Sequence, residues 1–293
     1  MNITNQLKHP LKLVRWRLRR AAAARRWGAE ALRQAPIVLG NAMPKSGSHL
    51  IHQVVHGLTG VGPFIDGGFP PVNRDQDNDK LPDAAVLANL QRMRPGDIGY
   101  GYLKAREPYV SLLTGQGWAA IFVYRDPRDM LVSHVFYATQ MHTGHGMHRY
   151  YTETLGTMEE RLNAAIQGVP EDPQNPDRGW MLSPVLAKYD GYVGWLEQPA
   201  VLCLRFEDLI LERQAALGRI LDYLQQRGFK LPGERTQAIA ALEAAIAPKK
   251  SGTFRKGQPG NWREHFSAAN KAVFKAQTGD LLVRLGYEQN DEW

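Results

Sequence analysis

Three short segments of this chain carry residues suited to holding an anion. The first is Pro44-Lys45-Ser46-Gly47-Ser48-His49, between the apolar run Ile37-Val38-Leu39 and a stretch with helical spacing. N–H groups at a helix start point outward, and the helix dipole favours negative charge there. Gly47 lets the backbone approach a phosphate closely, Ser46 and Ser48 add hydroxyl donors, and Lys45 adds a point charge. The lysine precedes the glycine, so this is not the triphosphate loop with its Gly-Lys-Ser/Thr order. Taken alone, the segment also reads as a plain strand-to-helix turn.

The second segment is Tyr124-Arg125-Asp126-Pro127-Arg128-Asp129, with Ser133 one turn further on. Arg125 ends an apolar run, the carboxyl edge at which open α/β sheets bind ligands. Its planar guanidinium suits bidentate phosphate contact. Asp126, Pro127 and Asp129 are explained as helix-start residues, at the N-cap, first position and first turn. The third segment, 254–262, sets Arg255 and Lys256 beside Gly257 and Gly260. It reads as a flexible anion-clasping loop or a solvated basic one.

These segments need a scaffold, and the chain alternates in the required way. Short apolar strands are expected at 37–39, 98–103, 118–124 and 201–206. Helices are expected at 48–58, 108–113, from 127, at 158–167, 184–196 and 215–227, and finally at 267–285. Residues 60–83, rich in Gly, Pro, Asp and Asn, read as a long binding loop. Strand-helix alternation predicts an α/β fold, a single domain with a central parallel sheet flanked by helices.

The three segments, in this order, resemble the signature segments of sulfotransferases that use 3′-phosphoadenosine 5′-phosphosulfate (PAPS). By that resemblance Lys45, Ser46, Gly47, Ser48 and His49 form the 5′-phosphosulfate loop, and Arg125 and Ser133 the 3′-phosphate site. Arg255, Lys256 and Gly257 form the C-terminal nucleotide loop, and Phe206 lies near the adenine. Leu50 stands where the family usually has a tryptophan stacked on that base. The likeness runs from about residue 37 to 262. It implies a nucleotide-kinase-like P-loop architecture over 35–293, preceded by a basic arm over 1–34.

The implied reaction is in-line sulfuryl transfer to a hydroxyl or amine of a small-molecule or carbohydrate acceptor, with PAP as product and no metal. The family's usual base is a histidine in a His-Leu pair, and here Tyr102-Leu103 holds that place. Tyrosine is a poor base at neutral pH, its unperturbed pKa being about 10. Three readings stay open: Tyr102 activated by neighbours such as Lys104, another base such as His49, or a protein that binds the nucleotide without efficient catalysis. A triphosphate kinase or ATPase is disfavoured by the glycine-lysine order.

Composition narrows the partners. The 293 residues are 43% hydrophobic and 22% charged, as in ordinary globular proteins. The net charge of +7 invites a nucleic-acid reading. However, Lys8, Lys12, Arg15, Arg17, Arg19, Arg20, Arg25 and Arg26 precede the first acid, Glu30, and account for all of it. The basicity therefore belongs to the arm, and no nucleic-acid partner is expected. Leu7, Leu11, Val14 and Leu18 fall at helical spacing within that arm. Such a helix lies on an anionic membrane surface or docks on its own domain through those leucines.

No run approaches the roughly 20 apolar residues that span a bilayer, and the expected location is cytoplasmic. The lone Cys203, in an apolar run, reads as a small buried hydrophobe. His49, His52 and His56 share a helical face that reads as packed or solvated rather than metal-binding. His142, His145 and His148 read as part of a substrate-facing loop. The sequence names neither the acceptor nor the oligomeric state.

Overall fold

The computed structural model describes residues 3–174, 179–247 and 257–293, and the side chains of these from residue 10 onward. Arg255 and Lys256, expected in the nucleotide loop, lie outside the described residues. In chain order the described elements are α1 (Ile3–Trp27), α2 (Ala29–Gln34), β1 (Ile37–Ala42), α3 (Ser48–Val61), β2 (Ile65–Asp66), α4 (Asp83–Gln91), β3 (Asp97–Gly101), α5 (Tyr109–Thr114) and β4 (Trp118–Tyr124). Then come α6 (Pro127–Phe136), α7 (Met158–Gln167), β5 (Val169–Pro170), β6 (Trp180–Leu182), α8 (Val185–Val193), β7 (Leu202–Arg205), α9 (Phe206–Leu211), α10 (Arg213–Gln226), α11 (Arg235–Ala245), α12 (Ala268–Thr278) and α13 (Leu281–Arg284).

The chain packs as two compact units. One comprises Met1–Tyr124 with Gly194–Ser251, and the other Arg125–Val193 with Gly252–Trp293. The first holds a parallel five-stranded sheet in the order β2-β3-β1-β4-β7, flanked by helices as the alternation predicts. The central strands β1 and β4 are buried almost throughout, as strands covered on both faces must be. Val54, Val55 and Leu58 of α3 and Leu217, Ile220 and Leu221 of α10 pack with Val38, Ile121 and Leu204 of the sheet in one core. Cys203 is half-buried rather than buried. Its thiol donates to the Trp195 carbonyl at 3.3 Å, and burial pushes it up to about 12, so it is inert at neutral pH.

The arm helix α1 belongs to this first unit, and it docks by a different face from the leucine face. Trp16 Nε1 and an Arg20 guanidinium N–H both donate to Asp97 Oδ1, each at 2.8 Å. Arg19 donates to the Asp66 carbonyl, and Ala23 is buried beside Leu32 and Ile65. Leu11, Val14 and Leu18 face solvent. Docking through the leucines is thus corrected. A buried carboxylate with three donors, counting the Arg94 N–H at 2.8 Å, outcompetes three aliphatic side chains for the interface.

In the second unit α6 starts as predicted. The Asp126 side chain accepts from the Arg128 N–H and Pro127 stands at the first helical turn. Thr157 and Glu160 form a capping box at α7, and Ser267 and Asn270 one at α12. The expected terminal helix over 267–285 is two helices, parted at Gly279, whose φ of 52° no helix accommodates. His142 and His145 join an aromatic cluster, with ring centroids 5.5 Å from Tyr137 and 5.2 Å from His134 respectively. No group of three or more His, Cys, Asp or Glu among the described residues is arranged to hold a metal.

On α3, His52 stacks on Tyr100 at 4.0 Å, while the exposed His56 has its Nδ1 2.8 Å from Asp66 Oδ2, so that face is packed in part and solvated in part. The Asp66 contact raises the His56 pKa, against a smaller opposing effect of burial. For Asp66, burial pushes the carboxyl up, but His56 and the Gly68 N–H outweigh it and bring it to about 2. A raised histidine pKa stabilises the fold fully below the unfolded value, about 6.5, and that contribution fades as pH rises through the folded value. His56→Gln should therefore lower Tm at pH 5.5 and lower it less at pH 8.5. Equal losses at the two pH values in a melting series would contradict this pairing.

Candidate nucleotide site

The first unit builds the lysine loop from the end of β1. Ala42 is the last paired residue, opposite Val123 of β4, and the Met43 N–H donates to the Val123 carbonyl at 3.3 Å. Two left-handed residues then turn the chain, Lys45 with φ 65° and Gly47 with φ 93°. A lysine there is strained, and such strain concentrates where a loop is shaped for a ligand. Gly47 is the N-cap of α3 and offers no side-chain cap. The Ser46 side chain is fully buried, and its Oγ has no hydrogen-bond partner among the described residues. A buried hydroxyl without a partner costs about 1–3 kcal/mol. An anion at the start of α3 would supply the missing acceptor.

Phe206 opens α9 directly after β7, and its ring lies on Gly47. A Cβ at position 47 would sit 2.5 Å from the ring. Glycine is thus required there twice, by the positive φ and by the ring. Leu50, at the usual tryptophan position, is buried in the core of the unit.

Tyr102 follows β3, and its hydroxyl donates to Ser48 Oγ at 3.2 Å. Two asparagines that the sequence reading passed over fix it there. Asn73 pairs reciprocally with the Tyr102 peptide, at 3.0 Å to its carbonyl and 3.2 Å from its N–H. Asn41 pairs in the same way with the Leu103 peptide, at 2.9 and 2.7 Å. Trp195 Nε1 adds a third bond, to the Leu103 carbonyl at 2.8 Å. Asparagine matches a peptide's donor and acceptor at once, so each pair sets position and orientation together.

His49, the second residue of α3, stays exposed. Partial shielding of its ring, and after that the Lys45 cation, hold it below the ordinary histidine range. It is therefore neutral, and able to accept a proton, at neutral pH. One turn on, His52 is lowered too, chiefly by burial.

His52 and Tyr100 also line a cavity of about 620 Å³, together with Trp16, Phe69, Asp66 and Arg74. This lies within the usual range for small-molecule sites, roughly 300–1,000 Å³. The walls are mostly apolar, and burial pushes the Tyr100 phenol up to about 12.

In the second unit Arg125 is 8% exposed, with its guanidinium 3.7 Å from Asp129. Ser133 lies two turns along, on α6. Asp129 does more than begin a helix. Its carboxylate accepts from the Gly260 N–H at 2.7 Å and the Trp262 N–H at 2.8 Å, fastening the C-terminal loop to α6. Burial raises its pKa, and Arg125 and the two N–H bonds offset this only in part. Arg128 holds the same region from the other side. It is paired with Asp126 at 2.7 Å and stacked 3.9 and 4.5 Å from the centroids of Trp262 and Trp293. Gly257, the one described residue of the expected basic triplet, has φ 60°.

Comparison with known proteins gives the family. The sulfotransferase domain model matches residues 119–286, more than half of the chain, and the chain belongs to that family. Arg125, Ser133, Phe206 and residues 255–257 fall inside the match, and the Lys45 loop precedes it. A 3-alpha-hydroxysteroid sulfotransferase of Cavia porcellus is 27% identical over 175 residues, 53% of this chain and 52% of that protein. The chain thus spans about half the length of that curated relative. Among solved structures, mouse sulfotransferase SULT7A1 complexed with PAP aligns with a TM-score of 0.58 at 16% identity, covering 88% of each chain. A retinol dehydratase in complex with androsterone and inactive cofactor PAP aligns at 0.54 and 16%, covering 86% of this chain and 83% of that one. At that identity the structures establish a shared fold.

Proposed function

We propose that this protein transfers a sulfuryl group from PAPS to an acceptor hydroxyl or amine, releasing PAP. The observation that carries the reading is the loop at 45–48. There a lysine in a left-handed conformation, a buried serine hydroxyl without a partner among the described residues and a helix start with no side-chain cap stand within four residues of one another. PAPS supplies an activated sulfuryl group, and transfer leaves charge on the nucleotide's phosphate. Lys45, Ser46 and the N–H groups of Gly47 and Ser48 hold that phosphate and stabilise the charge as it grows. Arg125 and Ser133 bind the 3′-phosphate, Arg255, Lys256 and Gly257 belong to the C-terminal nucleotide loop, and Phe206 borders the adenine. These roles follow the family resemblance.

In this reading His49 accepts the acceptor's proton, because it is the neutral imidazole beside the loop. Tyr102 positions Ser48 through its hydroxyl. His49→Ala should lower kcat/KM about 10²-fold or more and flatten the acid limb of its pH profile, whereas Tyr102→Phe should cost less. The reverse order of effects would give Tyr102 the base role. No turnover of any acceptor with labelled PAPS, despite PAP binding, would favour a non-catalytic nucleotide-binding protein, the reading that Tyr102 at the usual histidine position supports.

The acceptor reading is a small molecule with an apolar body and one nucleophilic group, held in the cavity walled by Trp16, Phe69 and Tyr100. The steroid named for the curated relative, and the androsterone in the retinol dehydratase complex, are of this kind. A panel of steroid, phenol and sugar alcohols, read as PAP formation, tests it. Preference for sugars would move the acceptor out of this cavity. Peripheral contact of residues 1–30 with anionic membranes completes the reading.

A further inference from the structure

From the way α1 is docked, we infer that Leu11, Val14 and Leu18 form a stripe that seats this protein on an anionic lipid surface. The inference rests on the membrane contact proposed for residues 1–30 and names the face that makes it. The helix has two opposed faces. The inner one is committed: Trp16 and Arg20 to Asp97, Lys12 to Gln76 Oε1 at 2.7 Å, Arg19 to Asp66, and Ala23 to the core. The outer one carries Leu11 at 69%, Val14 at 54% and Leu18 at 67% exposure. Steps of three and four residues put these side chains in one line on a helix. After Leu211 they are the three most exposed large apolar side chains among the described residues.

The charges around the stripe select the occupant. Arg15 flanks it on one side and Arg17 on the other, and Arg25 continues it two turns beyond Leu18; all three are exposed. The helix contains no acidic residue. A second copy of the same face would set like charges against one another. A nucleic acid would satisfy the arginines but offer the leucines no apolar surface. An anionic bilayer meets both demands, since aliphatic side chains enter the acyl boundary while arginines remain among the headgroups. The helix needs no refolding to bind, because its inner face is already held.

The test uses the full chain and sedimentation with vesicles of phosphatidylcholine alone or with phosphatidylserine. Three proteins are compared: wild type, Leu11→Gln/Val14→Gln/Leu18→Gln, and Arg15→Gln/Arg17→Gln/Arg25→Gln. Glutamine keeps helix propensity, and PAP binding on the same samples reports folding and the nucleotide site separately. The expected result is at least a tenfold preference of wild type for the phosphatidylserine vesicles. It weakens in high salt and falls at least tenfold in both variants. If the arginine variant loses binding and the apolar variant keeps it, membrane contact stands and the stripe is overturned. Absence of vesicle binding by wild type overturns both. A wild-type dimer in light scattering that the apolar variant abolishes assigns the stripe to a second copy and also overturns the inference.

Discussion

Lys45→Ala is expected to lower PAPS-dependent turnover about 10²–10³-fold, the usual effect of removing one donor aimed at developing negative charge. Lys45 is half-buried, on a strained loop just before the start of α3, and its charge already depresses the pKa of His49. The substitution should also move the His49 pKa up, since one of the two causes holding it down is gone. An acid limb that shifts to higher pH alongside a large drop in kcat would show both roles in one variant. A drop below threefold, with PAP affinity intact, would remove Lys45 from the phosphate site.

The second large effect is expected at Asp129. Its side chain is 1% exposed and serves two backbone donors and a guanidinium. Asp129→Ala leaves the N–H groups of Gly260 and Trp262 without their acceptor. At about 1–3 kcal/mol for each buried unpaired group, a stability loss of about 2–4 kcal/mol is expected in a denaturant titration. The consequence for ligand binding is more diagnostic. Asp129 fastens the loop that carries Gly260 and lies against Arg125, the residue proposed for the 3′-phosphate. Preference for PAP over adenosine 5′-phosphate, which lacks the 3′-phosphate, should therefore collapse in Asp129→Ala. It should recover in part in Asp129→Asn, which retains one carbonyl acceptor. A variant that is destabilised yet discriminates as well as wild type would reduce Asp129 to a structural cap.

What was legible in the sequence is what local chemistry determines. Asp126-Pro127 announces α6 because a cap and a fixed φ act within one turn, and the expected helix over 158–167 coincides with α7. The parallel sheet followed from alternation, although the order β2-β3-β1-β4-β7 depends on long-range pairing that no window reveals. The lysine loop was readable because glycine, serine and lysine each had a separate reason to be there. Asn41 and Asn73 were not readable. Their partners lie 62 and 29 residues away, and nothing nearby distinguishes a peptide-clamping asparagine from a turn residue. Helix α4 follows the loop-like stretch 60–83 and is not among the expected helices, and Asp129 looked fully explained as a first-turn acid. The arm shows the limit of periodicity most clearly. Leucine spacing identified an apolar face, but Asp97, some eighty residues away, decided which face would dock.

Direct titration of the purified protein with PAP, beside adenosine 5′-phosphate and magnesium ATP, tests the central claim most simply. The expected result is saturable binding of PAP at one site per chain, at least tenfold tighter than adenosine 5′-phosphate and than magnesium ATP, and weakened at least tenfold by Lys45→Ala. Absence of PAP binding, or tighter binding of magnesium ATP, would contradict it.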